Sequence, residues 1–213
     1  MRRKETMMSY DIELKNKKTG ETALMQHPQY VGGATVPAKI DPVTGELVQA
    51  AQAEASINIT YNYSGYYEEA TKGDPRFAHE EVSAYYADGT TGPVQTKYGI
   101  RGLYGKTPAE SIPMLNDMIQ RIQNAYQDEH GEWKTGKRIR HRYWKDGKEV
   151  KDSIGAILHG IKLEKTTEEY TVSEGDTSNY WERTAANAIH PLQTMLIMAT
   201  DNLTNPDVVW EGD

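Results

Sequence analysis

The chain has 213 residues, a formal charge of −7 and no cysteine. That length suits one domain with a sizeable insertion, and zero cysteine excludes disulfides, thiol nucleophiles, cysteine–zinc centres and iron–sulfur clusters. Hydrophobic residues reach only 37%, yet 14 Tyr and 4 Trp argue against wholesale disorder.

Met1 to Met8 is basic and polar, lacks the apolar stretch of a secretory signal and reads as a disordered tail. Ser9 to Leu14 alternates apolar and polar residues, which predicts a strand with Tyr10, Ile12 and Leu14 inward. A turn at Lys18–Glu21 leads to a short second strand over Thr22–Met25, and His27–Thr35 reads as a loop. Asp41–Gly45 is a hairpin turn between Val36–Ile40 and Glu46–Val48. Ser56–Ser64 has the cleanest period-two pattern, with Ile57, Ile59, Tyr61 and Tyr63 against Asn58, Thr60, Asn62 and Ser64. Gly65–Tyr98 has weak periodicity and is expected to be a long excursion, with one short helix near His79–Tyr86.

Thr107-Pro108-Ala109-Glu110 is a capping box with proline at the first helical position. Ile112, Leu115, Ile119, Ile122 and Tyr126 then predict a helix over 108–127 with that apolar stripe. Gly131–Gly175 reads as an inserted β-rich subdomain with a hairpin at Asp146-Gly147. Ser178 is placed as the cap of a final helix over Asn179–Leu203, with Trp181, Ala185, Ala188, Leu192, Met195, Ala199 and Leu203 as its apolar stripe and a kink or break at Pro191. Trp210 is expected to pack the tail back onto the body.

These elements give an α+β fold: an antiparallel sheet packed by two main helices, the core running over 9–130 and 176–213, with an inserted β-rich subdomain at 131–175. No stretch approaches the ~20 apolar residues of a membrane helix, so no membrane partner and a cytoplasmic location are expected.

No catalytic constellation emerges. The six histidines lack the spacing of a metal site, so neither metal nor cofactor is expected. No serine has a nucleophile-elbow context. Gly105-Lys106-Thr107 resembles the end of a phosphate-binding loop, but the leading glycine such a loop requires is replaced by Ile100. The segment still gathers Gly99, Arg101, Gly102, Gly105 and Lys106 before a helix start, where backbone N–H groups attract anions. A ligand site is therefore expected at Asn58, Asn62, Arg101, Lys106 and Thr107, with phosphate on the cations, a base or ribose on the asparagines, and Asp11 or His27 alongside. The second candidate surface is Lys134–Lys151, with eight basic and two acidic residues, net +6, leaving −13 on the rest of the chain. Arg138, Arg140 and Arg142 share one strand face beside Trp144, a pattern that fits a nucleic acid or an acidic partner protein.

Ser9–Leu14, His27 with Gly32-Gly33, Asn58–Tyr63, Gly99–Thr107, Glu110–Pro113, Asn179–Glu182, Asn187-Ala188 and Val209–Asp213 match, in order, a family of uncharacterised small proteins of bacteriophages, prophages and their bacterial hosts. They cover roughly half the chain. The segments 65–98 and 131–175 look like additions to that family's shorter pattern. The resemblance implies a mobile-element setting and assigns no activity. Two functions are thereby expected. The first is a phage-type accessory protein that binds a host macromolecule, as an antagonist of host defence; the second is a nucleotide-like small-molecule binder or enzyme with its site between 56–64 and 99–107.

Overall fold

The alternating run at the start of the chain folds as β1 (Ser9–Asn16), the centre of the main sheet. The architecture comes from a computed structural model, which describes residues 9–25, 39–40, 43–44, 47–48, 54–85, 90–150, 157 and 159–212. The expectations for residues 1–8 and for the His27–Thr35 loop lie outside these. In chain order β2 (Lys39–Ile40) and β3 (Leu47–Val48) form the small expected hairpin, followed by β4 (Ser56–Thr60), α1 (Ser64–Thr71), β5 (Ala78–Tyr85) and β6 (Thr91–Tyr98). Then come α2 (Pro108–Tyr126), β7 (Thr135–Lys145), β8 (Lys148–Glu149), β9 (Glu164–Ser173), α3 (Ala185–Asp201) and β10 (Val208–Gly212). Short 3-10 turns lie at Tyr61–Tyr63, Pro75–Phe77 and Ile100–Leu103. The chain is α+β.

The main sheet is antiparallel in the order β10-β1-β4. Its register sets Tyr10 opposite Ile59, Ile12 opposite Ile57 and Leu14 opposite Trp210, so the apolar phase of all three strands falls on one face. α2 and α3 pack against each other, and Leu115, Met118, Leu192, Met195 and Trp210 are completely buried in the shared core. Thr22–Met25 makes isolated bridges from Thr22 to Lys15 and from Leu24 to Glu54 in place of a strand.

Three expectations need correction. The strand at 56 ends at Thr60, whose side chain accepts from Asn62 N–H and turns the chain into a 3-10 turn and then α1. Tyr63, Tyr66 and Tyr67 are therefore core residues of a turn and a helix, and Tyr67 donates to the Ala188 carbonyl at 2.9 Å. The described residues of the stretch 65–98 form a helix and an antiparallel strand pair, and the expected helix near His79 is the strand β5, because cross-strand pairing with β6 overrides a weak local preference. Finally, α3 starts at Ala185, capped by Thr184, and runs unbroken past Pro191. Ser178 instead donates its N–H to Asp176 in a turn.

α2 starts at the expected capping box. Its buried face is Ser111, Met114, Leu115, Met118 and Ile122, while Ile112, Ile119 and Tyr126 pack along its flank. Two exposed arms leave this core, one two-stranded and one three-stranded in the order β8-β7-β9. β5–β6 is one; β7–β9 is the other, with β8 returning at the Asp146-Gly147 turn. Asp146 and Gly147 both have positive φ, 50° and 76°, as that hairpin turn requires.

Candidate functional sites

Arg101 is held by aromatic rings. Tyr10 and Tyr61 meet edge to face at 4.3 Å, the Arg101 guanidinium lies 5.4 Å from the Tyr10 ring centre, and its Nη2 donates to Tyr61 Oη at 3.3 Å. Burial pushes the Tyr10 phenol up, and burial followed by the Arg101 charge holds His79 below its ordinary value. Arg101 and Lys106 line the same cleft, as the sequence suggests, together with Arg76, His79 and Tyr104. Its walls are the turns Pro75–Phe77 and Ile100–Leu103, and they touch through Gly102. A Cβ there would lie 2.4 Å from Phe77 Cα, so only glycine permits this approach.

The other three expected ligand residues are engaged elsewhere. Thr107 exchanges hydrogen bonds with Glu110: its N–H donates to Glu110 Oε2 at 2.8 Å and its hydroxyl accepts from Glu110 N–H. The anion at the start of α2 is thus the chain's own Glu110, whose carboxyl those bonds hold below the usual range. Asn58 faces Asp11 across the β1–β4 ladder and donates to Asp11 Oδ1 at 2.5 Å and Ser9 Oγ at 2.8 Å. Asn62 donates to the Trp181 carbonyl at 3.2 Å. Neither asparagine lines the cleft of Arg101 and Lys106. Thr60, expected on the same polar face, is buried.

The arginine face of β7 is internally compensated. Arg138 pairs with Glu174, Arg140 with Glu182 at 3.7 Å, and Arg142 with Glu168 at 3.1 Å and Glu149 at 3.6 Å. Arg140 also lies 4.4 Å over the Tyr170 ring. Trp144 donates from Nε1 to Thr166 at 2.9 Å. The three arginines of the basic run are therefore compensated by carboxylates of β9, of β8 and of the loop before α3. Glu149 lies within the counted window, but Glu168, Glu174 and Glu182 lie beyond it, which is why the charge count missed them.

That loop carries the feature sequence periodicity misses. Trp181, expected in a buried stripe, is 67% exposed, and Tyr180 beside it is 41% exposed. The loop is nonetheless fixed. Trp181 N–H donates to Asn179 Oδ1 at 3.1 Å, and buried Asn187 donates to the carbonyls of Asn179 and Glu182. Buried Tyr63 donates to the Tyr180 carbonyl, and Asn62 holds that of Trp181. Glu182 closes the loop onto the arm through Tyr170 Oη at 2.6 Å and Arg140. The only local hint is a second possible cap, Thr184 with Asn187, six residues after Ser178.

Among the described residues no group of three or more His, Asp or Glu side chains could hold a metal ion, and no helix is long and apolar enough to cross a membrane. No family model matches the chain, and neither a curated protein nor a solved structure does.

Proposed function

We propose that this chain is a phage-type accessory protein that acts by binding a host protein, as an antagonist of a host defence process. The observation that carries the reading is Trp181: a large apolar ring facing water on a loop held by at least four hydrogen bonds from neighbouring elements. An exposed indole gains nothing for the fold, whereas a rigid aromatic anchor loses little entropy on docking and commonly dominates an interface. Trp181 continues through Glu182 to Arg140, Tyr170, Arg142 and Trp144, so loop and arm offer one mixed aromatic and polar surface. The pairing of Arg138, Arg140 and Arg142 with carboxylates favours a protein over a nucleic acid, whose phosphates require cations with charge to give. The host setting rests on the resemblance of the chain's motifs to those of phage and prophage proteins.

The test is capture from nuclease-treated host lysate with the full chain and with Trp181→Ala. A discrete protein is expected, bound about thirtyfold more weakly by the variant, the size of a hot-spot loss, while circular dichroism and melting stay unchanged. Equal capture by both chains, or capture that occurs only when the nuclease treatment is omitted, would count against this function.

A further inference from the structure

The β7–β9 arm has an edge that the docking surface does not use. Among the described residues no strand pairs with the outer side of β9. The edge is long and regular: β9 pairs with β7 from Glu164 to Ser173 without a register shift, and Glu164 to Glu169 are all exposed. An unpaired strand of this kind is a template for another strand. The other arm blunts the same hazard, because β6 carries Pro93 and the β5–β6 pairing shifts register twice. β9 has neither proline nor bulge.

The alternation of the ladder identifies the outward backbone groups. Val150 N–H donates to the Tyr143 carbonyl at 2.8 Å, so Tyr143 turns its backbone toward β8, and its neighbours Arg142 and Trp144 turn theirs toward β9. Thr166 and Glu164 stand opposite those two, so they and Glu168 bond to β7. Lys165, Thr167 and Glu169 therefore point their N–H and C=O groups away from β7. Two copies of one edge can meet antiparallel about a two-fold axis through a single residue, and the charges of β9 select that residue. Within the exposed run, an axis at Glu164, Lys165, Glu168 or Glu169 sets that charge opposite itself, and one at Thr166 sets Glu164 opposite Glu168. Only an axis at Thr167 avoids like charges, and it sets Lys165 opposite Glu169 on both sides of a central threonine pair. The same operation on the outer edge of β7, centred anywhere from Arg138 to Arg142, opposes arginine to arginine.

We propose that a second copy of this chain docks on β9, the two strands pairing antiparallel about an axis at Thr167. The two three-stranded arms then form one continuous sheet. The outward residues Lys165, Thr167 and Glu169 of the two copies exchange about six backbone hydrogen bonds. His141, whose Nδ1 lies 3.2 Å from Thr167 Oγ1, borders the central pair on each side. Because the axis occupies the β9 edge of both copies, the assembly closes at two. The edge is distinct from the face that carries Arg140 and Trp144, and the dimer stands or falls separately from the docking of a host protein.

Sedimentation equilibrium of the full chain is the test. A monomer–dimer equilibrium is expected, with a Kd on the order of 10 μM in keeping with a small interface. Lys165→Glu and Glu169→Lys each set like charges opposite at two symmetric places and are expected to weaken the dimer about tenfold or more. Lys148→Glu at the arm tip changes nothing. Mixing Lys165→Glu chains with Glu169→Lys chains makes every facing pair opposite in sign again, and a heterodimer is expected although both variants remain acidic overall. Glu169 also meets Lys137 at 2.8 Å. If its variant fails to fold by circular dichroism, Thr167→Pro decides the matter, since it deletes the outward N–H at the axis and none that bonds to β7; its dimer is expected to weaken about tenfold or more. A chain still monomeric at about 1 mM, growth beyond two copies, equal weakening by Lys148→Glu and Lys165→Glu, no heterodimer from two folded variants, or an undiminished dimer in Thr167→Pro overturns the proposal.

Discussion

Glu174 sits where the β7–β9 arm joins the core. Its carboxylate is almost wholly buried, accepts from Tyr66 Oη at 2.6 Å and from the first helical N–H of α3, Ala185, at 3.0 Å, and pairs with Arg138. A negative charge at a helix start is favourable in itself, and here it also closes the arm onto α1. Burial first, and then the bond to Glu174, pushes the Tyr66 phenol far above its ordinary value. Glu174→Ala strands the Arg138 guanidinium and a buried phenol; the expected loss is about 2–3 kcal/mol, below the cost of a fully buried pair because Arg138 is partly exposed. Urea unfolding at neutral pH measures it, and a loss within error of a surface substitution would contradict this role. Asp74 makes a second charged node. The Arg76 guanidinium, followed by Arg121 at 2.8 Å, holds its carboxyl well below the carboxylate range. A carboxyl lowered on folding contributes stability that is complete above the unfolded pKa, ~3.9, and is lost as pH falls through the folded value. Asp74→Asn is therefore expected to cost about 1 kcal/mol at pH 7, solvent screening of the two exposed arginines removing the rest. The gap from the parent chain should narrow as unfolding is followed into strong acid; a gap independent of pH would refute the pairing as its source.

At the scale of elements, stability is unevenly distributed. β1 is paired on both edges and buried on one face, so opening its amides requires the sheet to come apart. β7 and β9 pair over ten residues, roughly 33 Å of ladder, but most of their side chains face water and Ile139 is 66% exposed. Two long strands, extended only at the tip by the two-residue β8 and without a buried face, are marginal by themselves. Hydrogen exchange should therefore show Ile139 to Trp144 opening at much lower free energy than Ile12 and Leu14. Equal protection in both would mean that the arm is covered by something further. The signals that fixed elements correctly were local ones. Thr107 with Glu110 marks the start of α2, Asp146-Gly147 the arm's tip and the alternation of Tyr10, Ile12 and Leu14 the central strand. Where two local signals competed, periodicity chose badly. Ser178 and Thr184 are both plausible caps, and Thr184 prevails because its hydroxyl also donates to Asp176 O at 2.8 Å and Glu174 receives the next N–H. That shift of the helix start turns Trp181 from a core residue into a surface one.

Across the whole molecule, the candidate sites were legible only in part. Arg101 and Lys106 lie five residues apart around a turn, so the loop that names them also brings them to one cleft. Asn58 and Asn62 share a polar phase in the sequence, but the strand ends between them at Thr60, and the neighbours that engage them, Asp11 and the Trp181 carbonyl, come from 47 and 119 residues away. The same holds for the arginines of β7, whose carboxylate partners are mostly in β9 and beyond. Composition, alternation and capping determined by themselves the α+β class, the central strand, the capped helix and the hairpin turn, because those depend on contacts within a few residues. Only the tertiary structure decided which charges are neutralised, which tyrosines are core and which tryptophan meets solvent. Burial and ion pairing are set by groups distant along the chain, and a local pattern carries no record of them.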